Sequence, residues 1–303
     1  NVEVVCRLFR GCSGVVSVDP LENWNIRKVR DLNEVFSGCR SLTSLDGIDN
    51  WDVSNVTSMY FTFSGCSGLS DLESISGWNV EKVESLRGTF NGCSGLVSLE
   101  GLGKWRTSSL KYLGLNSSND SGAFRGCSNL VDLHGLENWD IGNVVSIEGL
   151  FNSCNKLSSL KALESWDVSN VENMENTFSY CSSLKTLEGL ESWKTVSLKT
   201  IGSEYSDGIF MQCTSLVTIG AIGNWDVSKV TNVGFAFSYL NSIVDLSAFS
   251  KWDMSSVVVW TNVFTQTPSS SIERIGIPSL SHGGLNFISH MTAYEKFIID
   301  TLD

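Results

Sequence analysis

Thiols and indoles recur along this chain at one fixed distance. A cysteine stands twelve residues before a tryptophan eight times, from Cys12 and Trp24, through Cys39 and Trp51, to Cys213 and Trp225. Thiols so spaced could ligate a metal, pair as disulfides or pack as small apolar side chains. A tetrahedral zinc site needs four converging ligands, usually supplied by closely spaced cysteine pairs. No two cysteines here have that spacing, and the three histidines, His134, His282 and His290, cannot complete a set. Disulfides between neighbouring coils fall within the allowed Cα separations, but joining identical positions of parallel coils strains the side-chain torsions. Nine cysteines would also leave one over. The reading that remains is a ladder of buried thiols beside a stack of indoles. Leu240 stands where the pattern would place a cysteine, a change that a core accepts and a ligand set does not.

Carboxylates form the second set. The residue after the second leucine of each unit reads Asp19, Asp46, Glu73, Glu100, His134, Lys161, Glu188, Gly220 and Ser247. Three positions on, a second column reads Glu22, Asp49, Ser76, Gly103, Glu137, Glu164, Glu191, Gly223 and Ser250. Both columns should face outward. Like charges one coil apart repel, so such a stripe suits calcium, a basic partner or a solvated face that keeps a regular repeat from aggregating. The aspartates and asparagines that follow tryptophan, such as Asp52 and Asp167, fit turn or N-cap roles. Catalysis has no support: the chain lacks H-E-x-x-H, G-x-S-x-G and a phosphate loop. The "GCSG" at 65–68 recurs in units that have no accompanying base. No enzyme activity and no cofactor are expected.

These side chains must be positioned by a repeat. Phenylalanine marks its register at Phe9, Phe36, Phe63, Phe90, Phe124, Phe151, Phe178, Phe210, Phe237 and Phe264, in steps of 27 residues except for 34 before Phe124 and 32 before Phe210. The unit reads F-x-x-C-x-x-L-x-x-L-x-x-[LI]-x-x-W-[DN]-V-x-x-V-x-x-[ML]. Such a unit cannot bury its apolar set alone, and stacking on its neighbours gives a solenoid. A short parallel strand is expected on L-x-x-L-x-x-[LI], and one helical or 3-10 turn on V-x-x-V-x-x-[ML]. The expected division is a repeat solenoid over 1–265 and a C-terminal cap over 266–303. In the cap, Met291, Tyr294, Phe297 and Ile298 share one helix face. Val2 and Val5 match Val29 and Leu32, so the chain is expected to begin in mid-coil, with more repeats or a cap upstream.

The two long units carry polar inserts at about 116–122 and 203–208. Each has a cation after tryptophan, Arg106 or Lys194. Asn116, Asn119, Asp120, Glu204, Tyr205 and Asp207 are therefore further candidate binding residues, since excursions on one face of a repeat are often binding elements. Asn55-Val-Thr, Asn116-Ser-Ser and Asn119-Asp-Ser match the glycosylation pattern.

The net charge of −12 argues against nucleic acid, which needs clustered Lys and Arg. No apolar run approaches the ~20 residues of a membrane helix, and no signal peptide is visible.

The iterated "WDVSNVTSMYFTFSGCSGLSDL" (51–72) and "WDVSNVENMENTFSYCSSLKTLEGL" (166–190) resemble the repeats of BspA-like bacterial surface proteins. Similar repeats occur in mycoplasma and Listeria-type surface lipoproteins and in some protist surface proteins. The resemblance spans about residues 1–265. It implies a leucine-rich-repeat-like solenoid, secreted or displayed at the cell surface, that works in adhesion or protein binding. The expected function is thus a recognition module for a host or neighbouring-cell protein, basic if it meets the acidic columns. The alternative is a building block of an extracellular scaffold or filament that assembles with copies of itself or with other proteins.

Overall fold

A computed structural model describes residues 3–114, 121–205 and 207–276. The chain is a repeat protein whose units stack in sequence order. Its backbone is mostly turns and irregular segments, with short 3-10 turns and two short strands among the described residues.

Backbone bonds from one unit to the next fix the stack. The amide of each phenylalanine from Phe9 to Phe237 donates to the carbonyl just before the next phenylalanine, at 2.9–3.1 Å. A second line of contact is a column of isolated parallel bridges, running from Asp31↔Ser58 through Ser85↔Tyr112 and Asn173↔Thr200 to Asn232↔Val259. Near the end of the described stack, β1 (Asp245–Leu246) pairs in parallel with β2 (Arg274–Ile275).

The apolar positions line a continuous core between these lines. The Phe rings from Phe9 to Phe210 stack with centroids 5.5–5.8 Å apart and interplanar angles of 3–13°. Trp51 stacks on Trp78, Trp105 on Trp139 and Trp193 on Trp225. The chain swings around most Phe residues through left-handed residues two before and two after it; before Phe124 and Phe210, where the inserts rejoin, only the second is left-handed. In several units the second of these is glycine, as at Gly38 (φ 80°), but at Tyr180 (φ 63°) and Tyr239 (φ 59°) it is not.

The cysteines and tryptophans share one role. Each thiol from Cys39 to Cys213 is buried, and its Sγ donates to the carbonyl of the preceding unit's Phe at 3.1–3.3 Å. Each indole from Trp51 to Trp252 donates to the carbonyl of the preceding unit's Leu or Ile at 2.9–3.3 Å. Those carbonyls already accept a turn bond within their own unit, as in Cys39 N–H to Phe36 and Trp51 N–H to Ile48. The side chain of the next unit fills the second lone pair. The thiols are thus donors as well as apolar filling, which the sequence did not reveal. All nine cysteines are free; Cys12 is exposed and Cys6 half-buried. The stacking continues past Phe264. Thr267 takes the cysteine position, and its hydroxyl donates to the Phe237 carbonyl at 2.7 Å.

The local assignment of strand and turn is corrected. The leucine stretch carries the 3-10 turns, at Asp19–Leu21, Asp46–Ile48, Glu73–Ile75, Glu100–Leu102, Lys161–Leu163, Gly220–Ile222 and Ser247–Lys251. Most of the strand-like bridges sit in the other half, just before the Met or Leu position, and the expected parallel strand on the leucine stretch forms only late in the stack, at Thr218↔Asp245 and β1–β2. Spacing explains the exchange. Residues three apart eclipse in a 3-10 turn, so Leu45 and Ile48 both point inward, whereas a strand would send alternate side chains to opposite faces. In the V-x-x-V half, Asp52 Oδ1 accepts the Ser54 amide at 3.1 Å, and Val56 N–H closes a turn on Val53 at 2.8 Å before the chain extends to Ser58.

Replacing an interior indole removes both stacking area and a cross-unit bond. Trp166→Ala is expected to lower stability by about 3–5 kcal/mol, read as a drop in the urea midpoint of unfolding.

Candidate functional site

The structure places both acidic columns at the surface. Asp19, Asp46, Glu73 and Glu100 are the first residues of four successive 3-10 turns, and each is exposed. The 3-10 geometry creates the column, because the turn that buries the Val or Leu before it and the Ile or Leu two positions later leaves this residue outside. Glu22 and Asp49 follow as the C-cap residues of their turns and are also exposed. Among the described residues, no ion pair involves Asp19, Asp46, Glu73 or Glu100. Asp46 accepts the Ser74 hydroxyl at 2.7 Å, and the Ser74 and Ser44 hydroxyls hold it below the ordinary carboxylate range.

The column changes character in the middle of the stack. Lys161 pairs with Glu164 at 2.9 Å and lies 3.8 Å from Glu188. The bond to Glu164 raises the Lys161 pKa above its ordinary value. His134 meets Glu137 at 2.7 Å and is likewise raised by that contact. Glu137 also accepts the Gly135 amide, and Glu191 the Gly189 amide, each at 2.7 Å. These later carboxylates are therefore partly occupied, while the first four remain open to solvent. Among the described residues no group of three or more His, Cys, Asp or Glu could hold a metal ion.

Of the insert candidates, Asn116, Asn119 and Asp120 lie outside the described residues. Glu204 and Tyr205 are exposed, Tyr205 at 85%. Asp207 is half-buried and accepts the Tyr180 hydroxyl at 3.3 Å. Asn55 is a repeat position: its amide donates to the Arg27 carbonyl of the preceding unit at 3.0 Å.

A polar column that the sequence reading missed runs three residues before Phe. It holds Arg87, Glu148, Glu175 and Asp207 in the central units. Arg87 lies 5.2 Å over the Tyr60 ring. Glu148 is buried, and its Oε2 accepts Asn173 Nδ2 at 3.2 Å. Burial first, and then the nearby Glu175 carboxylate, push the Glu148 pKa up to about 8. Glu175 and Asp207 are raised chiefly by burial. Beside them Asn176 is fully buried with a left-handed backbone (φ 59°), and neither amide atom has a hydrogen-bond partner. The sequence did carry a signal: the consecutive units of Phe151 and Phe178 place a carboxylate at one register position, directly after the inward Ile147 and Met174.

Among the described residues no helix is long and apolar enough to cross a membrane. A family model described as a Mycoplasma protein of unknown function, DUF285, matches residues 4–115, 118–216 and 204–273. No curated protein matches the chain.

Gly149 holds the position of Asn176 one unit earlier, also left-handed at φ 64°. Asn176→Gly is therefore expected to raise stability by about 1 kcal/mol, by removing an unpaired buried amide and a left-handed non-glycine residue. Denaturant unfolding checks the sign; a loss of stability would mean that the amide is bound in solution.

Proposed function

We propose that this chain, which belongs to the DUF285 family, is a leucine-rich-repeat-like solenoid of BspA-like character. In this reading it is secreted or displayed at a cell surface, where it binds a basic protein partner without catalysis. The observation that supports this reading is the row of four carboxylates, Asp19, Asp46, Glu73 and Glu100, at the starts of consecutive turns, exposed and without a counter-ion among the described residues. A solenoid is free to vary this outer position, because the leucines on either side already satisfy the core. Like charges held in register repel one another, and a cationic partner relieves that repulsion. Val16, Val97 and Val131, three residues before Asp19, Glu100 and His134, are exposed at 62%, 56% and 48%. They offer apolar contact beside the charges, so the face suits a partner that sets lysines or arginines beside apolar side chains. Electrostatic steering then speeds encounter and makes it sensitive to salt.

The test immobilises the purified chain and passes a panel of soluble extracellular proteins over it at several salt concentrations. The variant carrying Asp19→Asn, Asp46→Asn, Glu73→Gln and Glu100→Gln should retain the bound protein at least about tenfold less well at low salt, with a flattened salt dependence. Unchanged binding and unchanged salt dependence would remove the acidic face from the interaction.

A further inference from the structure

We infer that Glu148, Glu175 and Asp207, one from each of three stacked units, form a pH-sensitive joint in the repeat: they hold the units together while they share a proton and loosen them when it is lost. This goes beyond the recognition reading and does not depend on it.

The geometry is particular to these units. Each carboxylate lies three residues before its Phe, at Phe151, Phe178 and Phe210. The corresponding positions elsewhere are Cys6, Asn33, Tyr60, Arg87, Ser121, Gly234 and Thr261. Each carboxylate accepts a bond from a neighbouring unit. Asn173 Nδ2 donates to Glu148 at 3.2 Å, the Ser203 hydroxyl donates to Glu175, and the Tyr180 hydroxyl donates to Asp207 at 3.3 Å. The backbone crosses the same seams, with Gly149 N–H on the Glu175 carbonyl at 2.9 Å and Phe178 N–H on the Ile209 carbonyl at 3.0 Å. The joint therefore links the units of Phe151, Phe178 and Phe210.

Glu148 feels Glu175 and Arg87; Glu175 feels Asp207; Asp207 feels Arg125 and Tyr180; and Tyr180 in turn feels Tyr239. Glu148 is thus buried beside a second carboxylate, and Arg87 offsets only part of that cost. A buried anion next to another is costly, and the column keeps a proton instead. The proton belongs to the coupled set, centred on Glu148. Burial lifts the Glu148 pKa to about 8. A carboxyl raised in the closed joint and ordinary in the open one stabilises the closed form fully at acid pH. That advantage shrinks as pH rises above the ordinary carboxylate range and is gone once pH passes about 8. The aromatic stacks and backbone ladder of the other units have no such dependence, so the joint yields first.

Amide hydrogen exchange of the full chain, followed from pH 6 to 9.5 and corrected for intrinsic exchange, tests this. The Gly149, Phe178 and Tyr180 amides, which bond across the joint, should lose about tenfold or more protection across pH 8, while those of Phe36 and Phe63 hold. Glu148→Gln should abolish the loss. Glu175→Gln, which removes the carboxylate facing Glu148, should move the loss to lower pH and provides a second arm should the first variant fold poorly; tryptophan fluorescence monitors folding in both. Protection in the parent chain that is independent of pH, or an unchanged loss in the folded variants, would overturn the joint.

Discussion

The stack depends on turn carbonyls that accept two donors. Each Phe carbonyl closes a turn with its own unit's Cys amide, and each Leu or Ile carbonyl closes one with its own Trp amide. In both, the thiol or indole of the next unit supplies the second donor. A buried carbonyl readily takes two bonds, and burying polar backbone without partners is costly. The fixed distance between thiol and indole follows from this, since each must reach one of two carbonyls on the neighbouring unit. Leu240 gives up its donor, and the Phe210 carbonyl there keeps the Cys213 amide. Thr267 restores the donor with a hydroxyl. A donor of fitting size is therefore what the position uses, with thiol the usual choice.

From this pairing the remaining architecture follows. Units held in one register place every side chain in a column, so the inner columns must be alike and the outer ones are free to differ. The Phe and Trp stacks are the inner result. The acidic row at the turn starts is the outer one. The central polar column is the exception: charged groups occupy positions at the margin of the core, and their pKa values move with burial. The stack tolerates them because the flanking contacts of the same units, Phe151 on Phe178 and Phe178 on Phe210, are intact.

Much of this was legible in the residues. The Phe register, the inward leucines and valines, the outward acids and the turn-forming Asp after Trp can all be read from spacing. The exchange of strand and turn arose because leucine-rich units suggest a strand, whereas the three-residue spacing of Leu42, Leu45 and Ile48 is that of a 3-10 turn. The donor role of the thiols was hidden because a buried cysteine reads equally well as a small apolar residue. The polar column escaped notice because inserts of unequal length interrupt its register before Phe124 and Phe210. Aligning Glu148, Glu175 and Asp207 requires knowing where each insert rejoins the repeat.

Thiol labelling of the folded chain tests the central pairing most directly. Burial lifts the pKa of Cys39 to about 11 and of Cys93, Cys154 and Cys213 to about 12, and it also raises Cys66, Cys127 and Cys181. Under native conditions at neutral pH, Cys12 should react with a soluble alkylating reagent, while those seven resist until the chain is unfolded. Rapid native labelling of the seven, at the rate seen for the unfolded chain, would contradict the account.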